Sequence, residues 1–188
     1  VFGKFGEDIA ILAGDILLLK GLFLLNEACD LLSKTKKREV LGIIKNAFLE
    51  SSSAEAMEAS LRGKTEIKMD DFLSMIKQKV ATAEAVTRIG AVLGNATENQ
   101  STLLGQYGRT FGLLLTLRDE FVDIFEKDEL MNRAQKEILP LPILLSFNDE
   151  KRKAEIQQLL RKKINEHDVN KILDLVMKSD QTRDLVKL

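Results

Sequence analysis

The sequence predicts an all-α, single-domain multi-helix bundle, and three observations carry that expectation. Leu, Ile, Lys and Glu dominate a chain with only 2 prolines, no tryptophan and 1 tyrosine, a balance that favours helix over sheet. Apolar residues recur at helical spacing nearly end to end, with no alternating strand pattern between them. At 188 residues, 45% hydrophobic and 30% charged, the chain is long enough for one domain with a real core and has a globular balance.

Taken in order, residues 7–33 read as a long apolar helix ended by the polar run SKTKKRE. Its densest part, IAILAGDILLLKGLFLL at 9–25, is interrupted by Asp15 and Lys20. It is short for a bilayer span of about 20 residues, so it reads as a buried core helix and no membrane span is expected. No signal peptide is visible. Residues 37–62 form a second helix, with a candidate break at Ser51, Ser52 and Ser53. GKTEIKMDD is a connection, and Asp70 or Asp71 is the candidate cap of a third helix running to about Gly94. GNATENQ is a turn, and 99–126 is a long helix. Shorter pieces follow: 128–137, the LPLPILLSF stretch, 150–164, 168–178 and 180–187. Helices that are apolar over much of their circumference imply a bundle with a central helix layer.

Charge and composition exclude several classes. The net charge is −1, whereas a nucleic-acid binder shows a basic excess or stripe. The runs KTKKR at 34–38, KRK at 151–153 and RKK at 161–163 read as solvated surface, so no nucleic-acid partner is expected. The lone Cys29, in the apolar pattern NEACDLL, reads as packing and fits a reducing cytoplasm. His167 is the single histidine, which excludes a His-rich metal site and a Ser-His relay.

The chemistry lies in TLRDEFVDIFE at 116–126, directly after the apolar run FGLLLTL. Asp119 and Asp123, four residues apart, share one helix face, with Glu120 beside the first. Buried carboxylates are costly unless a cation compensates them. Their hard oxygens suit Mg²⁺, which binds one or two carboxylates together with substrate phosphates. The spacing alone leaves two readings open: a metal–phosphate site within the bundle, or acids that face water while Leu and Phe face the core.

The neighbourhood carries a resemblance. LGQYGRTFGLLLTLRDEFVD at 104–123 resembles the second aspartate-rich region of trans-polyprenyl diphosphate synthases, where a YGxxxGxxFQxxDDxxD helix ends in metal-binding acids. Tyr107, Gly108, Gly112, Asp119 and Asp123 match that pattern. Glu120 replaces its second Asp, and Leu115 and Thr116 replace its Phe-Gln pair. FGEDIAILAGDILL at 5–18 is similar to the family's Ala-Gly-Asp helix. MDDFLSMIKQKVATAEAVTRIGAVLG at 69–94 is similar to its Lys-Thr helix, with Lys79 at the lysine and Val80 at the threonine. The three blocks occur in the family's order.

The resemblance implies a bundle of the isoprenoid synthase type around a central cavity. It implies Mg²⁺-dependent condensation of an allylic diphosphate with isopentenyl diphosphate to a short-chain polyprenyl diphosphate. Asp119, Glu120 and Asp123 are then the metal residues, with Asp119 and Asp123 the catalytic pair and Glu120 supporting it from a neighbouring angle, and Lys79 contacts diphosphate. Lys136 is a second diphosphate lysine if QKEILP corresponds to the family's GKxTLP. Asp15 is structural, and a homodimer is expected. The family's first DDxxD motif is absent from this sequence, so a preceding segment is expected to carry it. The family's Gly-Gln also fails, and Glu55 and Glu58 stand near where its Gln and Asp would. The alternatives are a non-catalytic partner subunit of a heteromeric polyprenyl synthase, a plain helical scaffold with solvated acids, and another prenyl-transfer or cyclase activity on the same fold.

Overall fold

The computed structural model describes residues 2–161, 165–180 and 182, and every regular element among them is a helix. In chain order these are α1 (Phe2–Phe5), α2 (Glu7–Asp30), α3 (Lys34–Leu61), α4 (Met69–Lys79), α5 (Ala81–Leu93), α6 (Glu98–Val122), α7 (Lys127–Lys136), α8 (Leu141–Ser146), α9 (Glu150–Leu160) and α10 (Glu166–Met177). The helix expected over 180–187 lies largely outside the described residues, as do residues 162–164 of the one expected over 150–164. Among the described residues, no helix is long and apolar enough to cross a membrane.

Local chemistry sets the starts. Ser33, expected within the run that ends the first helix, instead caps the second: its side chain accepts a hydrogen bond from the Lys36 amide. Thr97 opens α6 with a reciprocal capping box, its hydroxyl accepting from the Gln100 amide while Gln100 accepts from the Thr97 amide. Neither Asp70 nor Asp71 caps α4. Lys68 is the N-cap without a side-chain bond, and the two acids lie in the first turn, where they complement the helix dipole.

Two expected boundaries differ. α3 runs unbroken through its serines, because Ser53 donates its hydroxyl to the Leu49 carbonyl one turn back and stays within the helix. The helix expected to run from about 70 to 94 turns at Val80, which ends α4 and precedes α5. Val80 is buried against α6, and the bend lets both segments pack on the flank of α3.

Among the described residues the core gathers in four clusters, the smallest being Ala47, Ala81 and Ala85 between α3 and α5. Ile124, Leu130, Ile143, Phe147, Ile156, Ile172 and Val176 join the end of α6 to α7–α10. Ala54, Phe72, Met75, Ile76, Ile138 and Leu141 join α3, α4 and α8. Cys29, Val40 and Val92 join α2, α3 and α5, which places Cys29 in the core as expected. The reading of α2 as a buried core helix does not hold in this structure. Of its residues only Cys29 is buried, while Ile9, Ile16, Leu17, Leu19 and Phe23 are exposed. A helix apolar on all sides needs neighbours on more than one side. Here, among the described residues, α2 packs mainly against the short α1 at one end and a limited part of α3.

α5 and α6 form the tightest pair, and the glycines of the 104–123 stretch explain it. A Cβ on Gly105 would meet the Arg88 stem at 2.8 Å, one on Gly108 would meet Thr87 Oγ1 at 2.4 Å and the Ala83 carbonyl at 2.6 Å, and one on Gly112 would meet Ala83 at 2.8 Å. As numbers rise along α6 they fall along α5, so the two helices are antiparallel. Gly108→Ala is therefore expected to destabilise the protein by about 1–3 kcal/mol through overpacking against backbone. Urea unfolding with an unchanged midpoint would overturn this account of the helix pair.

Candidate functional site

α6 carries three stripes with different jobs. Gly105, Gly108 and Gly112 lie against α5 and the start of the α4–α5 bend. Asp119 stands two turns beyond Gly112, about 10 Å of helix rise, and Asp123 one turn further, so both continue the glycine stripe. A second stripe, Leu104, Tyr107, Phe111 and Leu115, is exposed, and the Tyr107 and Phe111 rings stack at 6.1 Å between centroids. The third direction is inward toward α7 and α8, and it is taken by Glu120, which is 7% exposed.

The acids of the DExxD motif therefore diverge. Asp119 is exposed and accepts from the guanidinium of its neighbour Arg118 at 2.9 and 3.1 Å. Glu120 receives Arg133 Nη2 on both oxygens, at 2.9 and 3.0 Å, and the Leu141 amide at 2.8 Å. Asp123 Oδ2 accepts from Arg133 Nη1 at 2.6 Å. Arg133 also donates through Nε to the Ile138 carbonyl at 2.8 Å. Burial pushes the Glu120 carboxyl above its ordinary value, and Arg133 and the Leu141 amide pull against that. One guanidinium thus ties the end of α6 to the turn that carries ILPLP.

Arg133 was not visible to sequence reasoning as a site residue. It lies in the polar stretch ELMNRAQK, which reads as solvated. The available signal was helical phase: Leu130 and Arg133 are three residues apart, and both are buried. Arg109, between the glycines of GQYGRTFG, was missed as well. It donates to Glu50 of α3 at 2.7 and 3.0 Å, to Glu84 of α5, and to the Lys77 carbonyl at the end of α4 at 3.0 Å. The Arg109 hydrogen bonds hold the Glu50 carboxyl below its usual range.

Lys79 ends α4 beside Val80, whose side chain touches the Gly112 position. The contact places Val80 opposite the middle of α6, about 10 Å of helix rise before Asp119. The Lys79 ammonium is bonded to α3, in ion pairs with Glu58 and with Glu55 at 3.7 Å. Lys136 is exposed at the last turn of α7, three residues beyond Arg133. Asp15 is exposed on α2.

The donor chemistry can be tested against a divalent cation. Among the described residues no three His, Cys, Asp or Glu side chains are gathered as a ready metal cluster. Glu120 has both oxygens engaged by protein donors. Asp119 Oδ1 is held by Arg118 and Asp123 Oδ2 by Arg133, which leaves each acid one hard carboxylate oxygen, a turn apart, and those two oxygens fit Mg²⁺ shared with a phosphate ligand.

Residues 1–176 match the family model described as polyprenyl synthetase. The short chain isoprenyl diphosphate synthase of Methanocaldococcus jannaschii is 26% identical over 185 residues, covering 93% of this chain and 55% of the relative. The geranylgeranyl diphosphate synthase of Sulfolobus acidocaldarius is 23% identical over 184 residues, covering 93% of this chain and 56% of the relative. The crystal structure of geranylgeranyl pyrophosphate synthetase from Pyrococcus horikoshii superposes with a TM-score of 0.79 at 26% identity, covering 97% of this chain and 57% of that one. The chain spans about half the length of the curated relatives it matches.

Proposed function

Because the chain belongs to the polyprenyl synthetase family, we propose that it works in prenyl transfer: Mg²⁺-dependent condensation of an allylic diphosphate with isopentenyl diphosphate to a short-chain polyprenyl diphosphate. The observation that carries this is the glycine stripe of α6, packed on α5 and on Val80 next to Lys79, which Asp119 and Asp123 continue on the same helix face. Asp119 and Asp123 hold the metal, and Glu120, bound to Arg133, fixes the turn of helix between them. When bound, Mg²⁺ neutralises the negative charge that gathers on the leaving diphosphate. Lys79 and Lys136 add positive charge to the same anion. The exposed stripe of Leu104, Tyr107, Phe111 and Leu115 supplies apolar surface on which a hydrocarbon tail can lie away from water. Pairing of two copies through the exposed apolar surface of α2 is part of this proposal, and a cytoplasmic location fits it.

A second reading, a non-catalytic subunit paired with a catalytic homologue, is favoured by one observation: Lys79 is already neutralised by two glutamates. Incubation of the full natural protein with allylic primers, labelled isopentenyl diphosphate and Mg²⁺ separates the two. The expected result is chain elongation that stops with a chelator and returns with Mg²⁺. Absence of transfer by the protein alone, with transfer restored by a homologous subunit, selects the second reading.

A further inference from the structure

We propose that Glu58 and Glu55 form a built-in counter-anion that holds Lys79 until a diphosphate group displaces it. This rests on the reading of Lys79 as a diphosphate-binding residue.

Two carboxylates attend one ammonium. Glu58 makes the close contact and its side chain is 13% exposed, whereas Glu55 lies at 3.7 Å and is 68% exposed. Three residues apart on α3, they share the face that packs against α4. With both acids ionised the group of three carries a net negative charge. A lysine at the last turn of α4 is already favoured there by the helix dipole, so its placement does not require a second carboxylate. The consequence is electrostatic: an incoming anion meets a site of its own sign until Lys79 turns away from α3.

The lysine is built for that exchange. Its ammonium is a compact point charge on a flexible stem, free to change partners without the geometric loss a bidentate guanidinium suffers. Its side chain is 29% exposed, so the head reaches solvent without unfolding α4. Coulomb attraction scales with the product of charges, so a multiply charged diphosphate competes with the glutamates better than a singly charged anion does. The pair therefore discriminates by ligand charge and keeps Lys79 occupied when no diphosphate is present.

Calorimetric titration of the full natural chain with inorganic diphosphate in Mg²⁺ tests this. Lys79→Met should weaken binding. Glu58→Gln should tighten it about 5- to 10-fold, because a charge-assisted competitor is removed. Glu55→Gln should tighten it about 2-fold, as expected for an exposed pair. In the Lys79→Met background neither glutamine should have any effect. If Glu58→Gln weakens binding or leaves it unchanged while Lys79→Met weakens it, Glu58 positions the lysine rather than competing for it, and the proposal is overturned. If Glu58→Gln does not fold, Glu55→Gln decides: no gain in affinity overturns the proposal. If Lys79→Met leaves diphosphate binding intact, or the wild-type chain binds none, the assignment of Lys79 itself falls and takes this inference with it.

Discussion

Asp119→Ala in the full natural chain should slow prenyl transfer by a factor on the order of 10²–10³, the equivalent of roughly 3–4 kcal/mol of transition-state stabilisation. The leaving diphosphate gathers negative charge as the allylic bond ionises, and the proposed role of Asp119 is to hold the cation that answers it. Structure separates this effect from unfolding. Asp119 is exposed and is bonded only through its neighbour Arg118 in the described network, so its loss removes no buried contact. Its unfolding free energy should stay within about 0.5 kcal/mol of wild type. Steady-state transfer of labelled isopentenyl units across a Mg²⁺ series reads the first quantity, and urea unfolding the second. Unchanged transfer by the variant would falsify the assignment of Asp119 while leaving family membership untouched.

Arg133→Met should have the larger effect on stability, a loss of about 3–5 kcal/mol, because it strands the Glu120 carboxylate in the protein interior. Arg133 and Glu120 are 8% and 7% exposed, and the guanidinium also serves Asp123 and the Ile138 carbonyl. The cost comes chiefly from the uncompensated charge, so adding Glu120→Gln should recover part of it. Arg133→Lys should not rescue, since one ammonium cannot reproduce a fork that reaches Glu120, Asp123 and Ile138 at once. Equilibrium denaturation of the two single variants and the double variant tests the coupling. Additive losses would show that Arg133 and Glu120 are independent.

Helix content and the position of the acids were legible because both follow from local rules. Periodicity marks α3 and α6, and the DExxD spacing together with Gly108 and Gly112 picks out the end of one helix. What periodicity cannot show is which polar residue turns inward. Glu120 and Asp119 are adjacent letters, yet one is buried on Arg133 and the other lies at the surface, a difference set by α7 and the ILPLP turn arriving later in the chain. The bend at Val80 was illegible for the same reason: KQKVATAE is acceptable helix throughout, and the turn answers to α3 and α6 on either side. The error over α2 has a different origin. Hydrophobicity says that a helix wants covering, but the number of neighbours that reach it is a property of the assembled fold.

The glycine stripe of α6 acts as a keyway. With the α6 backbone pressed against the Ala83 carbonyl at Gly108 and against the side chains of Glu84 and Arg88 at Gly105 and of Ala83 and Val80 at Gly112, the helix resists rolling about its own axis, which holds the bearing of the other side chains on the rod. The acids lie along the key and the aromatic pair Tyr107 and Phe111 points away from it. Mutational drift is thereby partitioned. Bulk can be added or removed at positions 107 and 111 without rotating Asp119 or Asp123, so one side of a single rod can diversify while the other stays in register.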